Sequence, residues 1–325
     1  MKHISMALAT LAIAVSFCSC NKEKEGTYTP EQKLATVYVE ETDNESGEWT
    51  THGRFMTEKY AWEDDRLTSI SYFHKGTPTV VETFNYDKNN RITGSTYSGS
   101  GYTSDCYSEY IYSGKKLSTI NIYYKGRLSE TYKFTHTNGK ITHIDMELGQ
   151  SSNEKQLLTI NPLRHILPQQ ATEILDHVLY TQKSNSKNDF SYSFDLVWDK
   201  DNIASLRADL MDQSIKLSYT YDNKNNPYRG FLGSENLENS TFSGFNMFSL
   251  NNPLTINGET SAQDETNQYS ATYSYLYDGE YPTKSTLEAP VDVRRYEYDE
   301  NTGEYNLVLA YTYSSRTITE YVYAE

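Results

Sequence analysis

Three kinds of side chain in this sequence carry reactive chemistry: a thiol, seven histidines and a large stock of carboxylates. Cys106 sits in Thr103-Ser104-Asp105-Cys106-Tyr107. A nucleophilic thiol needs His or basic neighbours that lower its pKa; Asp105 acts the other way, so Cys106 reads as structural. His136 and His143 flank the Asn138-Gly139 turn, and with Asp145 they offer zinc-type ligands. The simpler account is two separate strand residues. Asp199-Lys200-Asp201-Asn202 and Asp222-Asn223-Lys224-Asn225 gather oxygens as calcium loops do. Both lack the Gly and distal Glu of such a loop, and read as hairpin tips whose Asp and Asn bond their own backbone. The 44 acidic residues leave room for a glycosidase pair, but no spacing singles one out. There is no Gly-Lys-Ser phosphate loop, no Gly-x-Ser-x-Gly elbow and no His-Glu-x-x-His. No catalytic residue, metal ligand or cofactor site is therefore assigned.

The elements that would position any site come from a recurrence. Phe84-Asn85-Tyr86-Asp87-Lys88-Asn89-Asn90-Arg91-Ile92-Thr93 pairs aromatics at i and i+2, then gives a polar turn, a base and β-branched residues. The pattern returns at Trp62, Tyr110-Ile111-Tyr112, Tyr132-Lys133-Phe134, Trp198, Tyr219-Thr220-Tyr221, Tyr275-Leu276-Tyr277 and Tyr296-Glu297-Tyr298. Its period of ~22 residues fits two strands of ~8 residues and two tight turns, a β-hairpin. Ile215, Leu217, Tyr219 and Tyr221 alternate with Lys216, Ser218 and Thr220, as do Leu307, Leu309, Tyr311 and Tyr313 with their neighbours. Period two puts alternate side chains on opposite faces of a strand. Asn138-Gly139 and Ser113-Gly114 supply the positive φ that tight hairpins need. So short a period leaves no room for parallel crossovers.

The fold expected is all-β: a large antiparallel up-and-down meander of about sixteen strands, curled or closed into a barrel. Two stretches break the rhythm. Ala171, Ile174, Leu175, Val178 and Leu179 follow a helical stripe, with Pro168 at its start. They predict one short helix over 168–181, inserted near 165–181. Residues 226–253 read as a long loop whose Tyr228, Phe231, Phe242, Phe245 and Phe248 tuck it down and offer a ligand surface. The Tyr doublets recur at hairpin positions, which argues for a shared packing role. A membrane barrel needs an apolar outer band, and the residues opposite the Tyr rows are Lys, Ser, Thr and Asn.

The N-terminus reads as an address. Lys2 and His3 precede an apolar run over 4–15, too short for a permanent span. Phe17-Cys18-Ser19-Cys20 followed by Asn21-Lys22-Glu23-Lys24-Glu25 resembles a lipoprotein signal. The resemblance implies that 1–19 is a signal peptide, Cys20 the acylated first residue and 20–34 a flexible linker ahead of one domain over 35–325. It also implies an outer-membrane, outward-facing location, the charged run being similar to a surface-export tag. Cys106 would then be the sole thiol, so no intrachain disulfide forms.

Composition narrows the partners. A net charge of −15 repels nucleic acid, and 30 Tyr in 325 residues argue against a disordered chain. The hairpin repeats, Asn226-Pro227-Tyr228, Asn251-Asn252-Pro253 and Gly279-Glu280-Tyr281-Pro282-Thr283-Lys284 together resemble a domain-of-unknown-function family. It comprises Gram-negative exported lipoproteins with a porin-like fold. The Tyr-Asp turns are similar to YD repeats, with Asn in place of most of their Gly. The resemblance implies the fold and transfers no catalytic residue. The expected role is a surface-anchored, non-enzymatic protein that binds a glycan or protein ligand, held by its lipid anchor in the membrane. A lipid-anchored glycan hydrolase and an architectural subunit of an outer-membrane complex are the alternatives.

Overall fold

The structure, a computed structural model, describes residues 25–99, 105–148, 191–210, 213–231, 246–262, 265–299 and 304–325. Among these residues sixteen strands follow one another. The first eight are β1 (Leu34–Asp43), β2 (Thr50–Glu63), β3 (Arg66–His74), β4 (Thr77–Tyr86), β5 (Ile92–Gly99), β6 (Tyr107–Ser113), β7 (Lys116–Tyr124) and β8 (Arg127–Thr137). The others are β9 (Lys140–Leu148), β10 (Ser191–Asp199), β11 (Asn202–Leu210), β12 (Gln213–Asn225), β13 (Asn251–Ala262), β14 (Glu265–Asp278), β15 (Tyr281–Asp299) and β16 (Glu304–Tyr323). Each pairs antiparallel with its chain neighbours, and β16 pairs with β1 to close the barrel. The meander and its closure match the sequence expectation; the helix expected over 168–181 lies outside the described residues.

The turns follow from residue chemistry. Asn138 and Gly139 both take positive φ, 52° and 84°, the mirror-image turn whose twist matches that of the flanking strands. Gly114 is also left-handed, at 64°. Residues 64–65, 114–115, 138–139, 200–201 and 279–280 turn at one end of the barrel, where the described N-terminal segment also lies.

Which side of the wall is wet decides what the barrel is. Leu206 pairs with Leu217 and Ala208 with Ile215, all at most 2% exposed, while their neighbours Arg207 and Lys216 pair on the outer face. The inward apolar residues, from Leu34 and Val37 on β1 round to Tyr321 and Tyr323 on β16, form one continuous cluster. The outer face carries ion pairs: Arg54 Nη2 to Glu320 at 2.5 Å, Lys133 to Glu147 at 2.5 Å and Arg316 to Glu288 at 2.9 Å. A membrane barrel has the reverse pattern, apolar outside and polar within. This wall is turned inside out relative to a porin's.

The recurring aromatic turns out to be a clamp. Trp62 Nε1 donates to the carbonyl of Leu34 at 2.7 Å, Tyr86 Oη to Leu67 at 2.5 Å and Tyr112 Oη to Ile92 at 2.7 Å. Trp198 reaches Ile141, Tyr221 reaches Ile203 and Tyr323 reaches Pro282 in the same way, at 2.7–2.8 Å. The base just before the accepting residue lies over the same ring: Arg66 on Tyr86, Arg91 on Tyr112 and Lys140 on Trp198, at 5.6, 4.4 and 4.8 Å. These six clamps lock neighbouring strands together, which explains why aromatic, base and aliphatic residues recur together; Phe134, at the same position on β8, has no donor and packs against the core. Removing one clamp hydroxyl by Tyr221→Phe is expected to cost about 1 kcal/mol of unfolding free energy, measurable as a lower denaturant midpoint at unchanged slope.

Candidate functional site

The described parts of the stretch expected to present aromatics (226–253), residues 226–231 and 246–250, pack over the turn-rich end of the barrel. Tyr28 Oη donates to the Pro227 carbonyl at 2.7 Å, and Gly230 N to Met247 O at 2.8 Å. Phe231, 6% exposed, packs against Tyr28 (ring centroids 5.2 Å apart) and edge-on to Phe84 (6.0 Å). Tyr228 meets Tyr321 edge-on, and Phe248, in a 3-10 turn (Asn246–Phe248), packs against the core. Phe231 is therefore buried, while Tyr228 and Phe248 are half-buried with part of each ring packed on the core, since covering the apolar mouth of the barrel needs aromatic area. Phe242 and Phe245 lie outside the described residues. The stretch read as a linker is, from Glu25 on, held against the barrel: Gly26 O accepts from Ile92 N at 2.9 Å, and Glu25 Oε2 accepts from Leu117 N at 2.6 Å.

The singled-out reactive groups are spent on structure. His136 faces inward, its Nε2 2.9 and 3.0 Å from the two Glu25 oxygens. His143 lies on the outer side, Nδ1 2.6 Å from Asp195 and Nε2 3.1 Å from Asp145. The hydrogen bond to Asp195 raises the His143 pKa above its ordinary value. The two histidines thus do not share a site. Asp222 Oδ1 accepts from the backbone N of Lys224 and of Asn252, both at 3.0 Å, while Oδ2 bonds Asn252 Nδ2 and the Tyr277 hydroxyl. It is the hub of a turn, as its Asp-Asn sequence suggested. Cys106 is 1% exposed.

Three glutamates escaped the sequence reading. Glu58, Glu82 and Glu130 point inward and are fully buried. Glu58 accepts from Tyr60, Glu82 from Tyr72 at 3.0 Å and Tyr97 at 3.3 Å, and Glu130 from Tyr132 at 2.9 Å. Burial pushes the Glu130 carboxyl up to about 8. Strand parity was the available signal: Glu58 and Glu130 each stand two residues before an inward Tyr.

The outer wall carries a groove of about 370 Å³ at the joint of β5 and β6. Asn85, Thr93, Thr96 and Glu109 line it from exposed positions, with Tyr107 at one side and Gly94 in its floor. A Cβ at Gly94 would stand 2.5 Å from the Ser108 carbonyl oxygen. Tyr107 stacks on Tyr123, ring centroids 4.4 Å apart and planes 11° from parallel.

No family model matches the chain, and no curated protein matches it. Among solved structures it is similar to a porin-like protein from Bacteroides uniformis ATCC 8492, at 12% identity and a TM-score of 0.43, over 91% of this chain and 99% of that one. It is also similar to a porin-like protein from Bacteroides vulgatus ATCC 8482, at 10% identity and a TM-score of 0.36, over 90% and 99% of the two chains.

Proposed function

We propose that the chain is a lipid-anchored protein of the outer cell surface that binds a glycan or protein ligand without catalysis. One observation carries this reading: among the described residues the inward positions are mainly apolar and tightly buried, while the outer wall carries ion pairs and polar residues among scattered apolar ones. Such an interior serves packing rather than transport, and a wall studded with ion pairs suits water rather than lipid. Attachment then falls to Cys20, whose setting resembles an acylation site. Only four residues, 21–24, intervene between Cys20 and the bonded Glu25, a reach of at most ~17 Å. Such a tether would keep the capped end toward the lipid and leave the wall and the opposite end open to ligands.

The Cys20→Ala variant is expected to leave the membrane fraction and appear in the soluble fraction. Persistence in the membrane pellet would refute the lipid anchor. Co-purification from intact cells tests the binding half of the reading: a bound ligand recovered intact agrees with it, and release of sugar reducing ends would instead mark a hydrolase.

A further inference from the structure

Among the described residues, the strand joint with the fewest residue pairs coincides with this groove. β5 meets β6 through three residue pairs, Gly94 with Glu109, Ser95 with Ser108 and Thr96 with Tyr107. On either side β4–β5 and β6–β7 each share seven. Toward the capped end the two strands part, and Ile92 N bonds the Gly26 carbonyl instead of β6. The glycine there is required by the neighbouring strand, because a Cβ at Gly94 would stand 2.5 Å from the Ser108 carbonyl oxygen of β6.

We propose that this groove binds a neutral oligosaccharide, an assignment that rests on the ligand-binding reading above and names its site and ligand class. Tyr107, backed by the parallel ring of Tyr123, offers a rigid aromatic surface for the apolar face of a sugar ring. Asn85 brings an amide that both donates and accepts, Thr93 and Thr96 bring hydroxyls, and Glu109 brings acceptors for sugar hydroxyls. The Tyr123 hydroxyl bonds Glu109 and so fixes that carboxylate. The groove lining contains no Lys, Arg or His, and its one charge is negative. An acidic sugar would therefore meet repulsion without a compensating cation.

The test uses the purified lipid-anchored chain in detergent micelles. The probes are hexasaccharides of an α-glucan, a β-glucan, a xylan and a mannan as neutral ligands, with hexagalacturonate as the acidic and chitosan hexamer as the cationic comparison. At least one neutral hexasaccharide is expected to bind in titration calorimetry. Its affinity should fall at least tenfold in Tyr107→Ala and in Asn85→Ala, each checked for an unchanged β-type circular dichroism spectrum. It should hold in Tyr38→Ala, which removes an outer-wall ring stacked on Arg54 elsewhere. Neutral-sugar binding that survives both groove variants would overturn the site while leaving the ligand-binding role intact. Binding confined to hexagalacturonate or chitosan would overturn the ligand class. No binding of any of the six probes by the wild-type chain would overturn the proposal outright; a protein recovered by co-purification would then still sustain the broader reading.

Discussion

Glu130→Gln is expected to stabilise the protein increasingly as the pH rises from about 5 to 8. The wild-type carboxyl is fully buried and pushed up to about 8 from its ordinary 4.5. Folded chains therefore keep this proton through a range where unfolded chains have lost it. Stability falls with pH wherever the folded state holds more protons, by about 1.4 kcal/mol per pH unit for one group. Below about 4.5 both states are protonated and the group costs nothing. Between there and about 8 the wild type loses roughly 4 kcal/mol that the glutamine variant keeps. Glutamine can still accept from Tyr132, which donates to Glu130 at 2.9 Å. Urea titrations of both proteins at pH 5, 6.5 and 8 check this, because other titrating groups cancel in the difference. A difference that does not change with pH would show that Glu130 is ionised, or exposed, in the folded barrel.

Phe231→Ala should cost about 3–5 kcal/mol, the range for removing a buried aromatic side chain. Phe231 is 6% exposed and joins Tyr28 of the N-terminal segment to Phe84 of the wall. Its loss leaves a void where three separate parts of the chain meet, so the cap should loosen along with the global loss. A lower denaturant midpoint, with faster hydrogen exchange at Ile92 N, whose bond to Gly26 lies beneath the cap, would report both effects. A cost below 1 kcal/mol would mean that the ring sits on the surface, as a displayed ligand contact would.

The hairpin wall was legible in the sequence because most units repeat the same physical solution. A clamp aromatic, a left-handed or Asx turn, a base and a buried Leu or Ile recur at near-constant spacing. Trp62, Tyr86, Tyr112, Trp198 and Tyr221 show that spacing plainly. The loop aromatics were visible too, but composition does not say which way a ring turns; Phe231 is buried and Tyr228 half-buried because an apolar mouth had to be covered. The buried glutamates were missed for a related reason. A charge in a strand is normally assigned to the wet face, and only parity with Tyr60 or Tyr132 reveals that Glu58 and Glu130 face the core. The groove depends on two strands pairing over three residues and then parting, a tertiary feature with little local signature beyond Gly94.

The direct test is to place single cysteines at three successive positions of β12 and label them in native membranes without detergent. Lys216→Cys and Ser218→Cys should react with a water-soluble maleimide, and Leu217→Cys should react only after unfolding, since 216 and 218 face outward and Leu217 is 0% exposed. Labelling of Leu217→Cys, with Lys216→Cys and Ser218→Cys shielded by lipid, would contradict the inverted wall and restore a pore-forming barrel.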